Sequence, residues 1–267
     1  MPRCRNSSSS VRRLRNRPAA WLLAVSAALA AQASPADDAI AADSRQVYDG
    51  AAPAWLRAVG KLQVPGSTYR DGVSSHQFEN CSATLVTSAT GRGADTIITA
   101  WHCLVNYNDL SRTITFTLPT GARGSLQREA YRLADGGGMH ADWALLRLRQ
   151  PVAPGDVAAL LIHPGRASAA RAISMAGYSR DTGKGDGGNR LTFDPVCRIT
   201  AQGPEITDSD CLAHKGASGG AVVQLSAAGT PQFSGVISEG NGLGLSTFVP
   251  VAAFRNAISR HLGQPRQ

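Results

Sequence analysis

Ser218 sits in the string "HKGASGG" (214–220), as Gly216-Ala217-Ser218-Gly219-Gly220. A serine hydroxyl is a weak nucleophile until a base takes its proton during attack. Glycines on both sides can hold such a serine on a sharp turn, because glycine accepts backbone angles closed to other residues. The same composition also suits an ordinary turn. The residues available as base and orienting acid therefore decide what Ser218 can do.

Downstream of Ser218 lie 49 residues, with one acid, Glu239, and one histidine, His261. The order serine–acid–histidine is that of α/β-hydrolases. That fold needs βα units on both sides of its nucleophile, and the remaining chain has no room for them. Upstream, "ITAWHC" (98–103) places His102 just after an apolar β-rich run, and "HADWALLRL" (140–148) places Asp142 at the head of an alternating strand. Asp135 is the nearest rival, but "LADGGG" around it has the composition of a turn. His76, His140, His163 and His214 have no partner that the sequence names.

The order His102, Asp142, Ser218 resembles the chymotrypsin-like (trypsin-fold) serine peptidases. Thr99-Ala100-Trp101-His102-Cys103 is similar to the family's T-A-A-H-C, with Trp101 in place of an alanine. Asp142-Trp143-Ala144-Leu145-Leu146 is similar to its aspartate motif, and Lys215-Gly216-Ala217-Ser218-Gly219-Gly220 to its serine motif. The resemblance covers about residues 55–260. It implies that His102 acts as general base and then acid, and that Asp142 fixes the imidazole tautomer. It also implies that the backbone N–H groups of Gly216 and Ser218 form an oxyanion hole. No metal or organic cofactor is implied.

Two departures carry meaning. In animal-type members an Asp before the serine pairs with a freshly cut N-terminal amine; Ala217 cannot. The layout "CRIT…DSDCLAHKGASGG" (197–220) resembles bacterial secreted members, including those related to glutamyl endopeptidases. The resemblance places a specificity pocket at Leu212 and Ala213 and at the strand carrying Ser238, Glu239 and Gly240. No acid stands at 212–213, which disfavours Arg or Lys substrates. Ile237 stands where glutamate-specific members carry a histidine. The expected preference is an apolar or small P1 side chain, and Glu239 would restore a basic preference if it faced the pocket. Residues 238–240 should bind extended substrate by backbone hydrogen bonds.

Such a triad needs a rigid frame. The chain has 267 residues, 27 basic and 19 acidic, with a net charge of +8. Residues 1–33 combine six arginines, an apolar run (19–31) and the small-x-small "AQA". This is the pattern of a secretory signal peptide, by the general secretory route rather than the twin-arginine one. Its removal leaves +2, so nothing argues for a nucleic-acid partner. Neither a membrane anchor nor a stable oligomer is expected beyond the signal; the expected partner is a protein or peptide substrate, and the location secreted or periplasmic.

Cys81, Cys103, Cys197 and Cys211 remain, an even number that suggests two disulfides in an exported chain. Three pairings are open from the residues alone, the sequential one closing short loops; the resemblance implies Cys81–Cys103. A zinc site using His102 and Cys103 lacks any close cysteine pair.

Residues 34–47 read as a linker or short propeptide. Short alternating runs at 96–100, 113–118, 141–149, 172–178, 221–225, 232–238 and 246–251 predict an all-β domain over 48–267. The resemblance divides it into two six-stranded antiparallel barrels, about 48–150 and 151–250. Val251, Phe254, Ile258 and Leu262 predict a C-terminal helix over 251–262. Two other readings of the same fold are a secreted binding module without turnover and an esterase-like acyl hydrolase.

Overall fold

The computed structural model describes residues 43–108, 111–121 and 124–262. The signal segment and residues 34–42 of the expected linker lie outside the described residues. A two-residue strand, β1 (Gln46–Val47), comes first. The first barrel follows: β2 (Val59–Arg70), β3 (Val73–Thr87), β4 (Ala94–Thr99), β5 (Ile114–Pro119), β6 (Ser125–Asp135) and β7 (Ala144–Val152). Its strands pair antiparallel in the closed order β2-β5-β6-β7-β4-β3, with β3 returning to β2. Alternation drives this closure. Ile114, Phe116 and Leu118 of β5 all point inward and are fully buried, and Leu62, Leu85, Ile97 and Leu146 meet them in the same core. Side chains of period two put one apolar face inside a closed sheet.

A short strand, β8 (Leu160–Ile162), links the halves, and the second set comprises β9 (Ile173–Gly177), β10 (Thr192–Cys197), β11 (Ile199–Gln202), β12 (Thr207–Ser209), β13 (Ala221–Leu225), β14 (Pro231–Gly240) and β15 (Ser246–Pro250). These strands pair antiparallel in the order β10-β9-β13-β14-β15-β12-β11. Past Ile199 and Ser209 the register of β11 and β12 continues in three further links. Asp210 N–H donates to Arg198 O at 3.1 Å, Arg198 N–H donates to Asp210 Oδ1 at 2.6 Å, and Cys197 is joined to Cys211. Strand β8 runs parallel to both β3 and β14 and so joins the two sheets.

The chain ends in α1 (Val251–His261), which buries Val251, Phe254, Ala257 and Ile258. Phe254 stacks on Trp143 with ring centroids 5.1 Å apart, and so braces the residue beside Asp142. The fold is therefore mostly β with one C-terminal helix, as its strand alternation predicts. Among the described residues no helix is long and apolar enough to cross a membrane.

Three details differ from the sequence reading. Alternation in β7 puts Arg147 on the solvent face with Arg149, yet Arg147 is buried. The end of α1 covers it, and its Nη2 donates to His261 O at 2.6 Å. The long β2–β3 hairpin is absent from the predicted strands. Its outer half is mostly polar and exposed, and Pro65 falls inside β2, although Asp71-Gly72, both with positive φ, is a strong hairpin-turn pair. Residues 43–47, read as linker or propeptide, are docked on the second barrel: β1 pairs antiparallel with β10, and Arg45 is buried.

Candidate active site

His102 lies in a tight helical turn, Trp101–Leu104, that begins where β4 ends. Cys103 in the same turn is joined to Cys81 on β3, which pins the turn to the barrel wall. Asp142 precedes β7 and is fully buried. Its Oδ1 accepts the backbone N–H of His102 at 2.8 Å, and its Oδ2 lies 2.8 Å from His102 Nδ1. Ser238 Oγ donates to the same Oδ2 at 2.5 Å.

These contacts set the charges. Burial alone would raise the Asp142 pKa, but hydrogen bonds from His102 and Ser238 and the nearby imidazole hold it below the ordinary carboxylate value. An ionised carboxylate only accepts, so Nδ1 must carry the proton facing it, and Nε2 of the neutral ring is left free as a base. Burial pushes His102 down, but the bond and charge of Asp142, with Glu239 and Glu79 more distant, bring its pKa above the ordinary histidine value.

Ser218 comes from the other barrel, on the turn before β13. Ala217 N–H donates to His214 O at 3.0 Å and Gly219 N–H to Ile237 O at 2.8 Å. Gly216 has φ +96° and Gly219 φ +84°, both in the left-handed region. A Cβ on Gly219 would come within 2.1 Å of Ser82 O and 2.2 Å of Thr99 Oγ1; one on Gly216 would meet Tyr178 O and Arg180 Cγ at 2.6 Å. Both positions therefore require glycine. Ser218 Oγ donates to Ser238 O at 3.1 Å. The N–H groups of Gly216 and Ser218 have no acceptor among the described residues.

The two barrels meet at a cleft of about 570 Å³ lined by His102, Ser218, Ile237, Ser238, Glu239 and Gly240, with Met139, His214, Lys215, Leu245 and Thr247 among its other walls. Glu239 is exposed at its mouth. Leu212 and Ala213 do not line this cleft. They pack behind it, beside Met175, Thr192, Ala217 and Ile237. Cys81 and Cys103 carry ligand atoms within 4.8 Å of His102, but their sulfurs are bonded to each other and are not free thiolates.

Sequence reasoning missed Ser82. This buried residue of β3 donates from Oγ to Gly216 O at 2.9 Å and from its N–H to Ser218 O at 2.8 Å, and it accepts Tyr178 N–H at 2.8 Å. It staples the serine turn to the first barrel. Its one signal is its place directly after Cys81. Ser238 was expected to act through its backbone; its hydroxyl on Asp142 is a second role that the sequence does not announce.

A family profile described as a trypsin-like peptidase domain matches residues 81–229, a span that includes His102, Asp142 and Ser218. The chain belongs to this family. No curated protein matches it.

Proposed function

We propose that the chain is an exported serine endopeptidase that cleaves peptide bonds through an acyl-enzyme. The observation that carries this reading is the buried Asp142 carboxylate, held at 2.8, 2.8 and 2.5 Å by the His102 N–H, the His102 ring and Ser238, with Ser218 and His102 lining one cleft. Ser218 Oγ attacks the carbonyl carbon as His102 Nε2 takes its proton. The tetrahedral oxyanion is received by the N–H groups of Gly216 and Ser218, each such donor contributing roughly 3–4 kcal/mol. His102 then protonates the leaving amine, and water reverses the sequence to free the acid.

Substrate lies along β14. Pairing with β13 stops at Val236, whereas pairing with β15 continues to Gly240. Residues 238–240 thus keep one edge without a strand beside it, and an extended peptide can add there. Ile237, Leu245 and Thr247 give the cleft an uncharged lining away from Glu239, which supports an apolar or small P1 residue. Two disulfides and the signal-like segment 1–33 support a secreted or periplasmic location.

Digestion of an unbiased peptide library by the oxidised protein tests this. Cleavage after apolar or small residues, lost in Ser218→Ala, is expected. Hydrolysis of esters alone would make the protein an acyl hydrolase. Hydrolysis of neither would make it a binding module.

A further inference from the structure

Among the described residues Arg45 is the most buried cation that the triad does not use, at 3 % exposure, in a segment whose composition reads as a linker. A guanidinium is tolerated inside a protein only when its donors are matched. Here Nε and Nη2 donate to the two oxygens of Asp43 at 2.9 and 2.7 Å, and Nη1 donates to Asp181 Oδ1 at 2.8 Å. Lys184 Nζ donates to the carbonyls of Asp43 and Arg45, and β1 continues the attachment along β10. We propose that residues 43–48 are a strap that orders the serine turn, and that Arg45 is a positioning residue for acylation of Ser218, acting through Asp181. This rests on the serine-peptidase reading.

Two chains of contact connect the strap to the turn. In the first, Asp181 is tied to its own loop by Gly185 N–H at 3.1 Å. The adjacent Arg180 donates its N–H to Lys215 O at 2.7 Å, and its side chain packs against Gly216, whose N–H is the first oxyanion donor. In the second, Ser44 Oγ donates to Asp194 Oδ2 at 3.0 Å, and the same oxygen accepts the N–H of Leu212 at 2.9 Å. Asp194 is itself buried. The strap therefore grips the stretch 212–218 near both ends. Its charges also reach His214 in that stretch: burial and then Arg45 lower the His214 pKa, against the opposing pull of Asp181 and Asp43.

The device answers the question raised by Ala217. In animal-type members the ordering cation is an amine made by a cut. Here it is a side chain, paired with Asp181 rather than with the residue before the serine. The cation exists before any cleavage, so any cut N-terminal to Asp43 leaves it in place.

The test compares full-length wild type, Arg45→Ala, Asp181→Asn and Ser44→Ala by the pH profile of fluorophosphonate labelling at Ser218. In Arg45→Ala the plateau rate should fall by about 10²-fold, the effect of losing one oxyanion donor. The pH midpoint, set by His102 and Asp142 on the other barrel, should not move. Millimolar methylguanidinium should recover part of the rate. Hydrogen exchange reads the same coupling without activity: residues 212–220 should exchange faster in Arg45→Ala, and residues 98–104 unchanged. Ser44→Ala, the mildest change, should show a smaller effect of the same kind if Arg45→Ala does not fold. Wild-type labelling rate and wild-type exchange in Arg45→Ala would overturn the strap. Failure of the wild type to label would count against the peptidase reading alone, with exchange still deciding the strap.

Discussion

In the first barrel every strand is bonded along both edges, because the order β2-β5-β6-β7-β4-β3 returns to its start. In the second, β11 is bonded to β12 alone, and past the end of that ladder Arg198 and Asp210 exchange two hydrogen bonds and a disulfide ties Cys197 to Cys211. The chemistry is divided the same way. His102 and Asp142 stand on the rim of the closed barrel and are bonded directly to each other. Ser218 stands on a turn of the other, held by glycines in left-handed angles, by Ser82 from across the cleft, and by contacts that lead to the strap. A ladder distributes load over many equivalent bonds, whereas the serine turn depends on a few single ones. The proposed base and its acid are thus positioned by the fold at large, and the proposed nucleophile by a small set of side chains.

Cutting one disulfide at a time tests that contrast most severely. Loop entropy predicts losses of about 2–4 kcal/mol for either, since the loops are of similar length. The distribution should differ. Without Cys197–Cys211, hydrogen exchange should quicken in β11, β12 and residues 212–218. Without Cys81–Cys103, the ladder of β2–β7 should keep its protection. Equal loss of protection through the first barrel would end the distinction.

A smaller effect sharpens it. Glu239, from the second barrel, acts on His102 only through its charge and adds to the raised pKa. Labelling requires the neutral imidazole, so the rate falls as pH drops through that raised value. Glu239→Gln removes a negative neighbour, which lowers the pKa and moves the acid limb to lower pH with little change in the plateau. A limb that stays in place, or moves up, would show that the charge of Glu239 does not reach the base.

The chemistry was more legible in the sequence than its support. His102, Asp142 and Ser218 could be found because each is attached to a short local pattern: an apolar run, an alternating strand, a glycine turn. Strands β5 and β7 were legible for the same reason, since one face of each is buried against the core. The outer half of the β2–β3 hairpin was not, because paired strands with solvent on both faces have no hydrophobic period to show. Arg45 was hidden by its neighbours: a small, polar stretch looks like a linker unless its charged partners, 136 residues further along in the case of Asp181, are known to fold back on it. Ser82 and Asp194 act through contacts remote in sequence, and only the neighbouring Cys81 marks the first of them. Leu212 and Ala213 were placed by analogy with the pocket of other members, and they are not among the residues that line the cleft.

The central claim is that Ser218 is a nucleophile activated by His102. Mass-spectrometric mapping of the oxidised protein after treatment with a fluorophosphonate tests it most directly. The account predicts a single phosphonyl adduct on Ser218, absent in His102→Ala. A protein that stays unmodified while folded with both disulfides intact, or an adduct that forms equally fast in His102→Ala, would contradict it.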